Sequence, residues 1–219
     1  YEHNNRGVRF IAADVRDLGL EHLSRIVSGR HRDDALFAGC APCQPFSSQR
    51  KGEPDYGRAT LLGEFSRLVD AARPGYVVVE NVPGIARVNG NSTFRRFLGM
   101  LTRNGYRYDY GVVDAKSHGV PQTRRRLILI ASRAGKPTLP RAKYGPGLLP
   151  WRTVRGAIGH YPAIRAGQSD DRVANHVAAS ITDINIQRLR VTPKDGGDRR
   201  SWPKRLRLRC HQNDYDGHS

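Results

Sequence analysis

The stretch that most restricts the fold is "ARPGYVVVENV", residues 72–82. Pro74 and Gly75 close whatever precedes them, and the β-branched run that follows cannot sit in the same helix. Upstream, "TLLGEFSRLVDAARP" (60–74) places Leu61, Leu62, Phe65, Leu68 and Val69 on one helical face. Downstream, "STFRRFLGMLTRNG" (92–105) has the same periodicity and ends at Gly105. An apolar strand alternating with helices implies an α/β layer with a parallel sheet.

The rest of the first 133 residues extends this alternation. "VRFIAAD" (8–14) reads as a strand, "LEHLSRIVSG" (20–29) as a helix and "DALFAG" (34–39) as a further strand. "YRYDYGVVDA" (106–115) and "RLILIAS" (126–132) read as two final strands joined by a loop, which predicts an antiparallel edge hairpin. The texture changes near 135, where "AGKPTLPRAKYGPGLLPW" is rich in glycine and proline. We therefore expect a domain over 1–134 and a small irregular, basic region over 135–219, with "VRGAIGHYP" (154–162) as its helix.

Charge narrows the partners. Lysine and arginine outnumber aspartate and glutamate 37 to 20, a formal +17 over 219 residues, which favours a polyanion such as nucleic acid. No apolar run approaches the length needed to cross a bilayer, and the polar start "YEHNNRGVRF" does not read as a signal peptide. Three irregularly spaced cysteines make no disulfide framework, so a reducing, cytoplasmic setting is expected.

In such sheets a ligand lies beyond the carboxyl ends of the strands. One strand delivers the chain into "GCAPCQPFSSQR" (39–50), and Glu80 ends the next. Cys40 and Cys43 alone could form a redox pair, with Cys40 as the exposed nucleophile. A zinc site would need two further ligands at ordered spacing, and His118 and Cys210 do not supply a second pair, so no metal is expected.

Three segments decide between these options. "PCQ" (42–44), "ENV" (80–82) and "QTRRR" (122–126), in this order and at these structural positions, resemble the DNA cytosine-5 methyltransferases. "AADVRDL" (12–18) resembles the turn that family places near the cofactor adenine, and "TPKDGGDRRSWP" (192–203) looks like the recognition region of some members. The resemblance implies a Rossmann-like sheet that binds S-adenosylmethionine, with Asp14, Val15, Pro42 and Leu61 at the cofactor.

It implies Cys43 as the nucleophile that adds to cytosine C6, since a thiolate both attacks and departs well. Glu80 would give or share a proton at N3, which calls for a desolvated site that raises its pKa. Arg126 would face the oxygen at C2, and Arg124 would orient Glu80 or the same oxygen. Strand alternation puts Arg124 and Arg126 on one face and Arg125 on the other. Gln44, Ser47 and Gln122 are expected against double-stranded DNA, from which the target base must be flipped. Cys40 is expected to serve packing.

The resemblance also implies what should precede and follow. The family's glycine-rich turn and the acidic residue after its second strand are not found, nor are its closing motifs. The chain is thus expected to be a fragment, or part of a split enzyme with a complementary polypeptide, and to bind the cofactor weakly or not at all by itself. Within the family, the expected setting is a bacterial, nucleoid-associated member of a restriction–modification pair, with a cognate endonuclease as functional partner. A tRNA cytosine-5 methyltransferase and a catalytically inactive DNA-binding remnant are the alternatives.

Overall fold

The computed structural model describes residues 4–27, 31–41, 61–86 and 93–208. It separates into two compact units, Tyr1–Thr153 and Val154–Ser219.

The first unit is built on a four-stranded sheet. Its elements are α1 (Leu20–Val27), α2 (His31–Asp34), β1 (Leu36–Gly39), α3 (Leu61–Ala72), β2 (Tyr76–Asn81), α4 (Thr93–Arg103), β3 (Arg107–Asp114) and β4 (Arg125–Ser132). The spatial order is β1-β2-β4-β3. β1 and β2 run parallel, with Gly39 beside Val79. β4 is antiparallel to β2, with Glu80 beside Ile128, and antiparallel to β3, with Asp114 beside Arg125. The expected α/β sheet with an antiparallel edge hairpin is the one observed.

Burial shows why these strands hold. Val77, Val79, Leu127, Leu129 and Ala131 point to one face and pack on Leu62, Val69, Phe94, Phe97, Met100 and Leu101 of α3 and α4. The alternate residues Val78, Glu80, Ile128 and Ile130 are only half-buried. Among the described residues the run at 76–82 is thus packed by helices on one face, while its other face carries the half-buried Glu80.

At the far end of the sheet, the buried Tyr106 hydroxyl donates to the Pro74 carbonyl where the chain leaves α3. Loss of water around this phenol pushes its pKa up to about 12.

Three expectations are corrected. Residues 8–14 form no strand; Val8 and Phe10 are 44% and 57% exposed, and the segment closes local turns such as Ala13 N–H to the Ile11 carbonyl. A strand requires a ladder partner, and among the described residues β1 pairs only with β2. The helix expected over 154–162 is the short α5 (Val154–Ile158), closed at Gly159. An unexpected helix, α6 (Asp183–Val191), follows it in the second unit. Its apolar residues Ile184, Ile186, Leu189 and Val191 do not form one stripe, so periodicity could not reveal it.

The second unit is held by polar contacts around Trp202. Its indole N–H donates to Thr192 Oγ1 at 2.8 Å, and the Arg188 guanidinium lies 5.4 Å from its ring. Arg188 also donates to the Leu206 carbonyl, and Arg207 to those of Trp202 and Arg200.

Candidate active site

Two strands bring the central residues together. Glu80 is the penultimate residue of β2, and Arg126 is the second residue of β4. The antiparallel register sets them diagonally across neighbouring strands on the half-buried face. Arg126 Nε lies 2.8 Å from Glu80 Oε1, and an Arg124 terminal nitrogen lies 3.8 Å from the same oxygen. Arg125, which alternates away from them, is exposed.

The Glu80 carboxylate is 32% exposed and Arg126 is 27% exposed. At that exposure an ion pair contributes about 0–1 kcal/mol to stability. Two arginines aimed at one carboxylate are therefore a poor investment for the fold alone, and a good arrangement for a planar polar ligand. Glu80, for which a desolvated site was anticipated from sequence, is here half-buried and faces two guanidinium groups.

Asn81 occupies the buried face, at 2% exposure. Its side-chain amide donates to the Ala41 carbonyl at 3.1 Å and accepts from the Val82 N–H at 2.9 Å. This ties the end of β2 to the chain leaving β1, two residues before Cys43. Sequence reading passed over Asn81 as part of a tripeptide. The signal was a polar residue placed on the core face of an apolar strand, where it needs a partner.

Gly39 completes the approach. A Cβ there would sit 2.9 Å from the Phe65 ring of α3, so glycine lets the helix close on the last residue of β1. Cys40, expected to serve packing, is exposed. Pro42, Cys43, Gln44 and Ser47 lie outside the described residues. Gln122 is exposed on the loop entering β4.

The Asp14 turn is built from neighbouring groups. Asp14 accepts from the Arg16 N–H at 2.9 Å and from its guanidinium at 2.7 and 3.0 Å. These bonds hold its carboxyl at about 2, below the ordinary carboxylate range. Arg67 of α3, paired to Glu64 at 2.8 Å, donates to the Val15 and Leu18 carbonyls at 3.2 and 2.9 Å. The turn is thereby fixed to the helix whose first residue is Leu61.

Among the described residues no cluster of three or more His, Cys, Asp or Glu side chains forms a metal site, and no helix is long and apolar enough to cross a membrane.

A model of the C-5 cytosine-specific DNA methylases matches residues 1–184. The chain belongs to this family. It is 32% identical over 215 residues to the type II methylase M.HgiDII of Herpetosiphon aurantiacus, covering 98% of this chain and 59% of that one. It is 31% identical over 211 residues to the type II methyltransferase M1.HphI of Haemophilus parahaemolyticus, covering 94% and 55%. The chain thus spans somewhat over half the length of these curated relatives. Among solved structures, a prophage-encoded E. coli protein described as a DNA modification methyltransferase superposes with a TM-score of 0.56 at 25% identity, covering 73% of this chain and 44% of that one. The methylase family uses S-adenosylmethionine in general.

Proposed function

We propose that the chain is the catalytic part of an enzyme that methylates C5 of a flipped-out cytosine in duplex DNA, within a type II restriction–modification system. The observation that carries this reading is the Glu80–Arg126 pair, at the same sheet end where Asn81 anchors the chain entering the Cys43 loop.

Cytosine C5 is a weak nucleophile because its ring is aromatic and electron-poor. Addition of the Cys43 thiolate to C6 breaks the aromaticity and moves electron density toward N3 and the oxygen at C2. Glu80 gives or shares a proton at N3, and Arg126 meets the charge developing at that oxygen. Entry of the base would then loosen the Glu80–Arg126 contact and draw both groups onto one ring edge. S-Adenosylmethionine would supply an electrophilic methyl group to the activated C5. Loss of the C5 proton to a water or hydroxide base, with the N3 proton returned to Glu80, then expels the Cys43 thiolate and restores the ring.

The residues present fit one end of this cofactor. Asp14 and Val15 lie on a turn that Arg67 fixes against α3, and Leu61 starts that helix. With Pro42 they would hold the adenine side.

Gln44, Ser47 and Gln122 would contact the DNA, and extruding the base would cost roughly a few kcal/mol. In this reading residues 1–134 carry catalysis and 135–219 carry target recognition. The test is methyl transfer from labelled S-adenosylmethionine to duplex DNA and, separately, to tRNA, by the full-length enzyme that contains this chain. Label in 5-methylcytosine of DNA is expected; label in RNA alone would reassign the substrate.

A further inference from the structure

Between Asp114 and Asp170 the chain carries no aspartate or glutamate, while lysines and arginines recur throughout. Within that span, residues 143–151 form an ordered loop with an exposed apolar tip. Leu148, Leu149 and Trp151 are 53%, 57% and 46% exposed. Cations flank them: Lys116 Nζ lies 4.4 Å from the Trp151 ring, and the Arg152 guanidinium lies 5.6 Å from that of Tyr144. Lys116 also faces Asp114 Oδ2, at 3.9 Å.

The loop is held in place by its backbone. The Lys143 and Tyr144 N–H groups donate to the Ser117 carbonyl at 2.9 and 3.1 Å. The Gly145 N–H donates to Leu149 at 2.9 Å, and the Leu149 N–H returns to Lys143 at 3.2 Å. The Tyr144 ring lies over Gly119, where φ is 87° and a Cβ would come within 2.9 Å of it.

This support is continuous with the site. The turn Ala115–His118 leaves β3 at the end where Arg125 lies beside Asp114, and the Ala115 N–H donates to the Arg124 carbonyl at 2.9 Å. The apolar tip therefore stands at the Glu80–Arg126 end of the sheet.

We propose that the Tyr144–Arg152 loop is a DNA-contacting element, with Leu148, Leu149 and Trp151 against sugars or bases and Lys116, Lys143 and Arg152 at phosphates. This inference rests on the duplex-DNA reading above. A cluster of exposed apolar side chains beside a site suits a covering partner, and a cation-rich rim, in which Lys116 faces Asp114 while Lys143 and Arg152 add further positive charge, favours a polyanion. Apolar and aromatic side chains set beside a site that extracts a base are suited to contact unstacked steps.

The test is hydroxyl-radical footprinting of the chain, read residue by residue by mass spectrometry, with and without a mixed-sequence 30-base-pair duplex. Fluorescence anisotropy follows binding in parallel, and a structured RNA of equal charge serves as a second arm. Oxidation of Leu148, Leu149 and Trp151 should fall at least about threefold with duplex, while Leu36 and Tyr76, at the opposite sheet end, stay unchanged. Leu148→Ser with Leu149→Ser should weaken duplex binding about tenfold, with an unaltered circular dichroism spectrum. Duplex binding that leaves the three side chains as reactive as before would overturn this assignment and leave the DNA reading intact. Binding of RNA alone, or of neither polymer, would overturn both.

Discussion

Glu80 and Arg126 gain little for the fold from their mutual contact, so their removal should be felt in rate before stability. Glu80→Gln keeps the shape and removes the titratable proton. It should lower kcat by about 10²–10⁴-fold, the usual worth of a positioned acid or base, while the denaturant midpoint hardly moves. Arg126→Ala should cost about 10²–10³ in kcat, as loss of a donor to a developing oxyanion does. Asn81 should behave in the opposite way. Asn81→Ala leaves the Ala41 carbonyl and the Val82 N–H without their partner in a part-buried setting. That should destabilise the chain by about 1–3 kcal/mol, measurable by urea unfolding. The shared face of Arg124 and Arg126 was legible because strand alternation gave it, and the structure sets both beside Glu80. Asn81 and Arg67 were not, since what each does depends on a carbonyl far away in sequence.

The elements themselves divide along the same line. β2, β4, α3 and α4 could be read because each carries a strong period and a clear stop, such as Pro74 or Gly105, and the observed core joins these four. Phe97, fully buried on α4, is central to it. Phe97→Ala should cost about 3–5 kcal/mol, with loss of the cooperative thermal transition at physiological temperature as the readout. Gly39→Val should overpack against Phe65 and cost about 1–3 kcal/mol in the same assay. The segment at 8–14 has a strand's composition and no strand's structure, because a ladder is a property of two segments. α6 reversed the error: it lacks an amphipathic stripe, yet forms beside the Trp202, Arg188 and Leu206 contacts of the second unit. Periodicity reports burial on one face, and neither case obeys it.

For the molecule as a whole, two charge effects follow. Tyr106 has a folded pKa of about 12, above its ordinary 10.0, so folding favours the protonated phenol. Its contribution is complete below about pH 10 and lost as the pH rises through about 12. Unfolding followed from pH 8 to 12 should show that loss, and Tyr106→Phe should flatten it. The net charge of +17 should make the logarithm of duplex affinity fall linearly with the logarithm of salt concentration, with a slope of about −0.9 per phosphate contacted. Both effects surround a single claim, that Cys43, Glu80 and Arg126 act on one extruded cytosine. The most direct test is to incubate the full-length enzyme that contains this chain with S-adenosylmethionine and duplex DNA carrying 5-fluorocytosine, digest it, and map any covalent adduct by mass spectrometry. The account predicts a pyrimidine bonded to Cys43, absent in Cys43→Ser and retained in Cys40→Ser. An adduct on Cys40 or Cys210, or methylation of ordinary cytosine with no adduct on any cysteine, would contradict it.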